Sequence, residues 1–104
     1  MKYWLTFNET NSLLHAPLMS GGVNTPKDEL SEQTLYQAMR HELVASARAT
    51  RIAREVAPAA QIGCMVLSMP VYPLTPSPAD ALAVLEFDHS NLVYGDVHTR
   101  GTYP

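Results

Sequence analysis

Apolar residues crowd into two short stretches of this chain and recur at helical spacing in two longer ones. Residues 2–8 are nearly continuous in apolar character, and Tyr3, Trp4, Thr6 and Phe7 all suit a pleated surface. Residues 61–67 repeat that pattern with Ile62, Cys64, Met65, Val66 and Leu67. Runs of this kind suit parallel strands covered on both faces, and Gly63 inside the second suggests a close backbone approach. Between them, Leu35, Ala38, Met39, Glu42-Leu43, Ser46, Ala49-Thr50 and Ala53 recur at intervals of three and four, the period of one helix face. Ala38, Ala45, Ala47, Ala49 and Ala53 favour helix there. Two starts are available, Thr25 ahead of Pro26 or Ser31, and Pro58 stops the helix near Val56 or Ala57. A second helix is announced by Ser77, Pro78 and Asp80, an N-cap signature. It is expected to run through Ala81, Leu82 and Val84-Leu85 as far as Asn91, leaving residues 92–104 as an irregular tail.

Two connections stand out. Residues 11–30, with Pro17, Gly21-Gly22, Asn24 and Pro26, read as a loop, long enough to be functional. Residues 69–78 contain Pro70, Pro73, Pro76 and Pro78 and read as a stiff loop. The order is therefore strand, long loop, helix, strand, proline loop, helix. That alternation implies parallel strands joined by right-handed crossovers. The expected fold is α/β: two consecutive (βα) units, strands side by side and helices on one face.

Composition narrows the function classes. A chain of 104 residues is one small domain. A net charge of −3 with seven basic residues and no basic cluster argues against nucleic acid as a partner. Arg40, Arg48, Arg51 and Arg54 are a solvated helix face that complements the helix dipole. No apolar stretch reaches the roughly 20 residues that span a bilayer, so no membrane partner is expected. The N-terminal residues lack signal-peptide architecture. Cys64 is the only cysteine, which rules out an intrachain disulfide and suits a reducing, cytoplasmic compartment.

The chemistry concentrates at Asn8-Glu9. A carboxylate there sits where a buried strand ends, at one rim of a sheet, and the neighbouring amide can hydrogen-bond a sugar hydroxyl. His15, His41, His89 and His98 show no ligand spacing, and His41-Glu42 is not followed by the second histidine a helical zinc motif requires. No metal and no cofactor are expected. Cys64 reads as an inert core thiol.

The run from Lys2 to Asn11 resembles the end of the fourth barrel strand in family-one glycoside hydrolases. The resemblance implies that Glu9 is the general acid/base and that Asn8 holds the sugar 2-hydroxyl. His41 to Ala49 resembles the fourth helix of that family, and Gln61-Ile62-Gly63 the start of its fifth strand. Tyr72-Pro73 with Pro78-Ala79-Asp80, and Arg100-Gly101 with Tyr103-Pro104, resemble segments flanking its fifth helix. Leu14 to Pro17, His41 to Ala47 and Ile62 to Met65 point to the bacterial enzymes acting on 6-phosphorylated β-glucosides, such as phosphorylated cellobiose or aryl glucosides. Thr10 departs from the family pattern, which has Pro or an aliphatic residue there, and bears on the strand end that orients Glu9.

The resemblance runs from residue 1 to residue 104, whereas a complete (β/α)8 barrel takes about 250 residues. The implied fold class is an incomplete TIM barrel, running from strand 4 to the region after helix 5. A retaining glycosidase uses two carboxylates about 5–5.5 Å apart, one as nucleophile and one as acid/base. Asp28, Glu29, Glu32, Glu42, Glu55, Asp80, Glu86, Asp88 and Asp96 lack the strand-end setting of Glu9. The family's nucleophile belongs to the seventh strand, and the loops that grip a 6-phosphate lie further on. Half of the catalytic pair is thus expected here, and the chain alone is expected to be inactive. The competing reading is an interaction or assembly protein, a homo-oligomer or a complementing fragment. A sugar-binding module is a weaker third reading, because most pocket walls belong to other units.

Overall fold

The computed structural model describes residues 1–26 and 28–103. The order of elements is β1 (Tyr3–Leu5), a 3₁₀ turn (Thr10–Leu14), α1 (Pro17–Gly21), α2 (Glu32–Val56), β2 (Gln61–Gly63) and α3 (Pro78–Arg100). The two strands pair in parallel, with Tyr3 opposite Gln61, Trp4 opposite Ile62 and Leu5 opposite Gly63. The expected parallel pair of an α/β fold is therefore present.

Both strands are shorter than the expected 2–8 and 61–67. A two-stranded ribbon lacks flanking rungs to hold its pleat, so regular geometry lapses after three residues. Pairing nevertheless continues along the expected length. Gln61 N–H donates to Lys2 O at 2.7 Å, Thr6 N–H to Gly63 O at 3.2 Å and Met65 N–H to Phe7 O at 3.3 Å. The last rung runs from Glu9 N–H to Met65 O at 3.0 Å. The close approach expected at Gly63 is absent: a Cβ there would meet only Leu5 Cδ2, at an ordinary 3.5 Å. The strand faces are not covered either, since Tyr3, Trp4 and Leu5 are all exposed.

The helix starts follow local capping chemistry. Of the two starts open to α2, Ser31 is the one used, its hydroxyl accepting from Thr34 N–H at 3.1 Å. Ser77 caps α3 in the same way, accepting from Asp80 N–H at 3.2 Å. The Asp80 carboxylate reaches back to Thr75, accepting from its hydroxyl at 2.6 Å and its N–H at 2.7 Å. These bonds hold the Asp80 carboxyl below the usual carboxylate range.

Two further expectations are overturned. α3 does not stop near Asn91, so most of the expected tail at 92–104 is helix, which continues to Arg100; only residues 101–103 are irregular, and Pro104 lies outside the described residues. Tyr94 is buried with Met39 and Leu43 of α2, and Val93 and Val97 pack against them. That burial outweighs the roughly 1 kcal/mol helix penalty of Gly95. Gly101 then closes the helix in the left-handed conformation, φ 75°, its N–H bonding Val97 O at 2.8 Å. Nor are residues 11–30 a continuous loop. Their first half is the 3₁₀ turn and α1, with Leu13 completely buried. α1 lies so close to that turn that a Cβ on Gly21 would stand 2.5 Å from Leu13 Cδ1 and 3.3 Å from Glu42 Oε1.

The core of Met39, Leu43 and Tyr94, with Leu14 packed against it, lies between α2, α3 and the 3₁₀ turn. The molecule is open, with a radius of gyration of 16.1 Å against about 13 Å for a compact domain of this length.

Candidate active site at the end of the first strand

Glu9 follows the last residue that runs straight out of β1, and its backbone turns there. With φ 48° and ψ 50°, it is the one non-glycine residue of positive φ among the described residues. A left-handed L-residue costs roughly 1–2 kcal/mol, so the surroundings must hold it. The Glu9 carbonyl accepts from both the backbone N–H and the hydroxyl of Ser12, each at 2.8 Å. Ser12 Oγ in turn lies 2.5 Å from Ser20 Oγ on α1. The turn behind Glu9 is sealed: Thr10, Asn11, Ser12 and Leu13 are all buried. Asn8 is exposed and Glu9 half-buried, so these two adjacent polar residues face outward from a buried footing.

Asn11 anchors that footing. Its Oδ1 accepts from Leu67 N–H at 2.9 Å, and its Nδ2 donates to Leu67 O at 2.7 Å. Nδ2 also reaches Asn91 of α3, at 2.8 Å to Oδ1 and 3.2 Å to the backbone O. Asn91 Nδ2 donates to Leu67 O at 3.2 Å. Both asparagines are buried. Sequence reasoning passed over them, although Asn91 sits at helical spacing from Tyr94.

Glu42 stands half-buried on the apolar face of α2. Its Oε2 is buried without a hydrogen-bond partner. Burial pushes the Glu42 carboxyl up, and the side chain of Thr10 partly offsets this. The unusual Thr10 thus faces a second carboxyl behind the strand end.

A third polar group ties β1 to both long helices. Thr6 Oγ1 lies 2.7 Å from Ser46 Oγ, which lies 3.2 Å from His98 Nδ1. Ser46 is 2% exposed, so its hydroxyl serves packing and not attack on a substrate. Cys64 is half-buried and burial pushes its thiol up, which keeps it in the unreactive form. His41 is on the exposed side of α2 with Gln37 Nε2 2.8 Å away. Arg40, Arg48, Arg51 and Arg54 are exposed. No group of three or more His, Cys, Asp or Glu that could hold a metal exists among the described residues. Every acid other than Glu9 lies on α2, on α3 or in the turn at Asp28-Glu29. No helix among the described residues is long and apolar enough to cross a membrane.

Residues 1–104 match glycosyl hydrolase family 1 over their whole length. The chain belongs to that family. Among family 1 relatives, a 6-phospho-beta-glucosidase of Clostridium longisporum is 58% identical over 104 residues, all of this chain and 22% of that protein. The 6-phospho-beta-glucosidase AscB of Escherichia coli (strain K12) is 50% identical over the same 104 residues, again 22% of its length. The aryl-phospho-beta-D-glucosidase BglH of Bacillus subtilis (strain 168) is 41% identical, with the same 22% covered. The family 1 chain described here therefore spans about a fifth of the length of these curated relatives.

Proposed function

We propose that this chain is part of a retaining 6-phospho-β-glucosidase, with β1 and β2 as the fourth and fifth strands of a (β/α)8 barrel. Glu9 is the general acid/base and Asn8 the partner of the sugar 2-hydroxyl. The observation that carries the reading is the left-handed backbone of Glu9, held by Met65 and Ser12 at the end of a parallel strand. Strained non-glycine residues gather at functional sites, and the carboxyl ends of barrel strands are where catalytic side chains sit. Glu9 would protonate the departing glycosidic oxygen and then take a proton from the attacking water. The nucleophilic carboxylate would come from outside these 104 residues, because no other acid among them sits at a strand end. The names of the relatives support a 6-phosphorylated β-glucoside as substrate, handled in the cytoplasm.

The test is a chimera in which residues 1–104 replace the matching segment of the E. coli relative. It should hydrolyse an aryl 6-phospho-β-glucoside, and Glu9→Gln should lower turnover by about 10²–10⁴-fold. Undiminished turnover after Glu9→Gln would remove the assignment.

For the 104-residue chain alone, a second reading is favoured by the exposure of Tyr3, Trp4 and Leu5 on β1. Unpaired strand edges template pairing with another chain. By itself the chain would be an inactive, self-associating or complementing piece.

A further inference from the structure

We infer that Asn11 is the positioning residue for Glu9, its side-chain amide standing in for the next peptide of the β1–β2 ladder. This rests on the reading of Glu9 as the acid/base and adds what holds it in place.

The parallel ladder runs rung by rung until Glu9 N–H meets Met65 O at 3.0 Å. At Glu9 the backbone swings into the left-handed region and leaves the strand. The next acceptor and donor of the second strand, Leu67 O and N–H, would then lose their main-chain partners. Asn11 supplies both with one planar amide, accepting at 2.9 Å and donating at 2.7 Å. A primary amide carries the same donor and acceptor pair as a peptide, so the rung is completed while the main chain turns away. The bonds to Leu67 fix which end of the Asn11 amide is oxygen.

The second Nδ2 hydrogen goes to α3 through Asn91. The chain on the far side of Glu9 is thus clamped to the second strand and to α3. On its near side Glu9 is clamped by Met65. With both ends of a three-residue segment fixed, the left-handed turn at Glu9 is what connects them. Asn11 does not touch substrate in this scheme; it acts through the Glu9 backbone.

The three-bond coupling between Glu9 Hα and the Asn8 carbonyl carbon separates positive from negative φ and is measured by NMR on the 104-residue chain. The unaltered chain should give the positive-φ value. Asn11→Asp keeps the acceptor for Leu67 but loses the donors. It should shift the coupling toward the negative-φ value. Val97→Ala, which thins the core without touching this network, should lower the melting temperature and leave the coupling unchanged. A positive-φ coupling retained in Asn11→Asp, or lost equally in Val97→Ala, would reduce Asn11 to a general structural role and overturn the inference. Should Asn11→Asp not fold, Asn11→Ser decides, since it removes the amide that pairs with both Leu67 N–H and Leu67 O. An unchanged coupling there would be equally fatal. The coupling reads the backbone of Glu9 and not turnover, so failure of the acid/base reading in the chimera would remain a separate result.

Discussion

Ser46 of α2 and His98 of α3 meet 3.2 Å apart, and the same serine hydroxyl lies 2.7 Å from Thr6 beside β1. One buried hydroxyl thereby joins the strand to both long helices.

Burial pushes the His98 imidazole down from its ordinary 6.5. The unfolded chain therefore binds a proton more readily than the folded one. The contribution of neutral His98 is fully present above pH 6.5 and is lost as pH falls through the lower folded value. Denaturant midpoints should fall between about pH 7.5 and about pH 5. His98→Gln, which keeps a polar partner for Ser46 but cannot titrate, should flatten that part of the profile. An unchanged slope would remove His98 as its source.

Glu42 works in the opposite direction. Its carboxyl is pushed up from 4.5 by burial, so the folded chain holds that proton more tightly than the unfolded one. Stability from this group is fully present below 4.5 and is lost as pH rises through the folded value. Glu42→Gln should remove this decline and stabilise the chain at neutral pH. The gain should stay under about 1 kcal/mol, because the amide still leaves a buried polar atom unpaired. Melting curves on either side of the transition would show it.

Gly21 should not tolerate a side chain. A Cβ there overlaps Leu13 Cδ1 at 2.5 Å and Leu13 Cγ at 3.1 Å, and Leu13 is completely buried, so the core must shift to admit it. Gly21→Ala should cost about 1–3 kcal/mol as overpacking, read by urea denaturation. Gly22→Ala, with open space around it but φ 64°, should cost about 1 kcal/mol from backbone strain alone.

The isolated 104-residue chain should not hydrolyse aryl 6-phospho-β-glucosides, since a retaining reaction needs a second carboxylate. Release of the aryl alcohol above background that disappears in Glu9→Gln would reveal a recruited second acid, from this chain or another copy.

Light scattering during size exclusion at micromolar concentration should give a mass above the 11.4 kDa monomer. Tyr3, Trp4 and Leu5 are 64%, 50% and 58% exposed, and each apolar side chain buried returns roughly 1.5–3 kcal/mol. A two-fold dimer is the simplest closed arrangement. A monomer whose melting is independent of concentration would exclude it.

What the sequence determined by itself is what few-residue neighbourhoods control. The caps at Ser31 and Ser77, the stop of α2 before Pro58 and the extended character of the two apolar runs all rest on such neighbourhoods, and the alternation of strand and helix is what makes the pairing of those runs parallel. The tertiary structure decided whatever depends on residues far apart in the chain. Packing of Val93, Tyr94 and Val97 on α2 carries α3 past Gly95 to Arg100. Burial of Leu13 beneath Gly21 turns the expected loop into a 3₁₀ turn and a short helix. Asn11 finds Leu67 and Asn91 only when the strands and α3 are assembled. The left-handed backbone of Glu9 belongs to this second group: its own residue type disfavours that conformation, and bonds to Met65 and Ser12 hold it there.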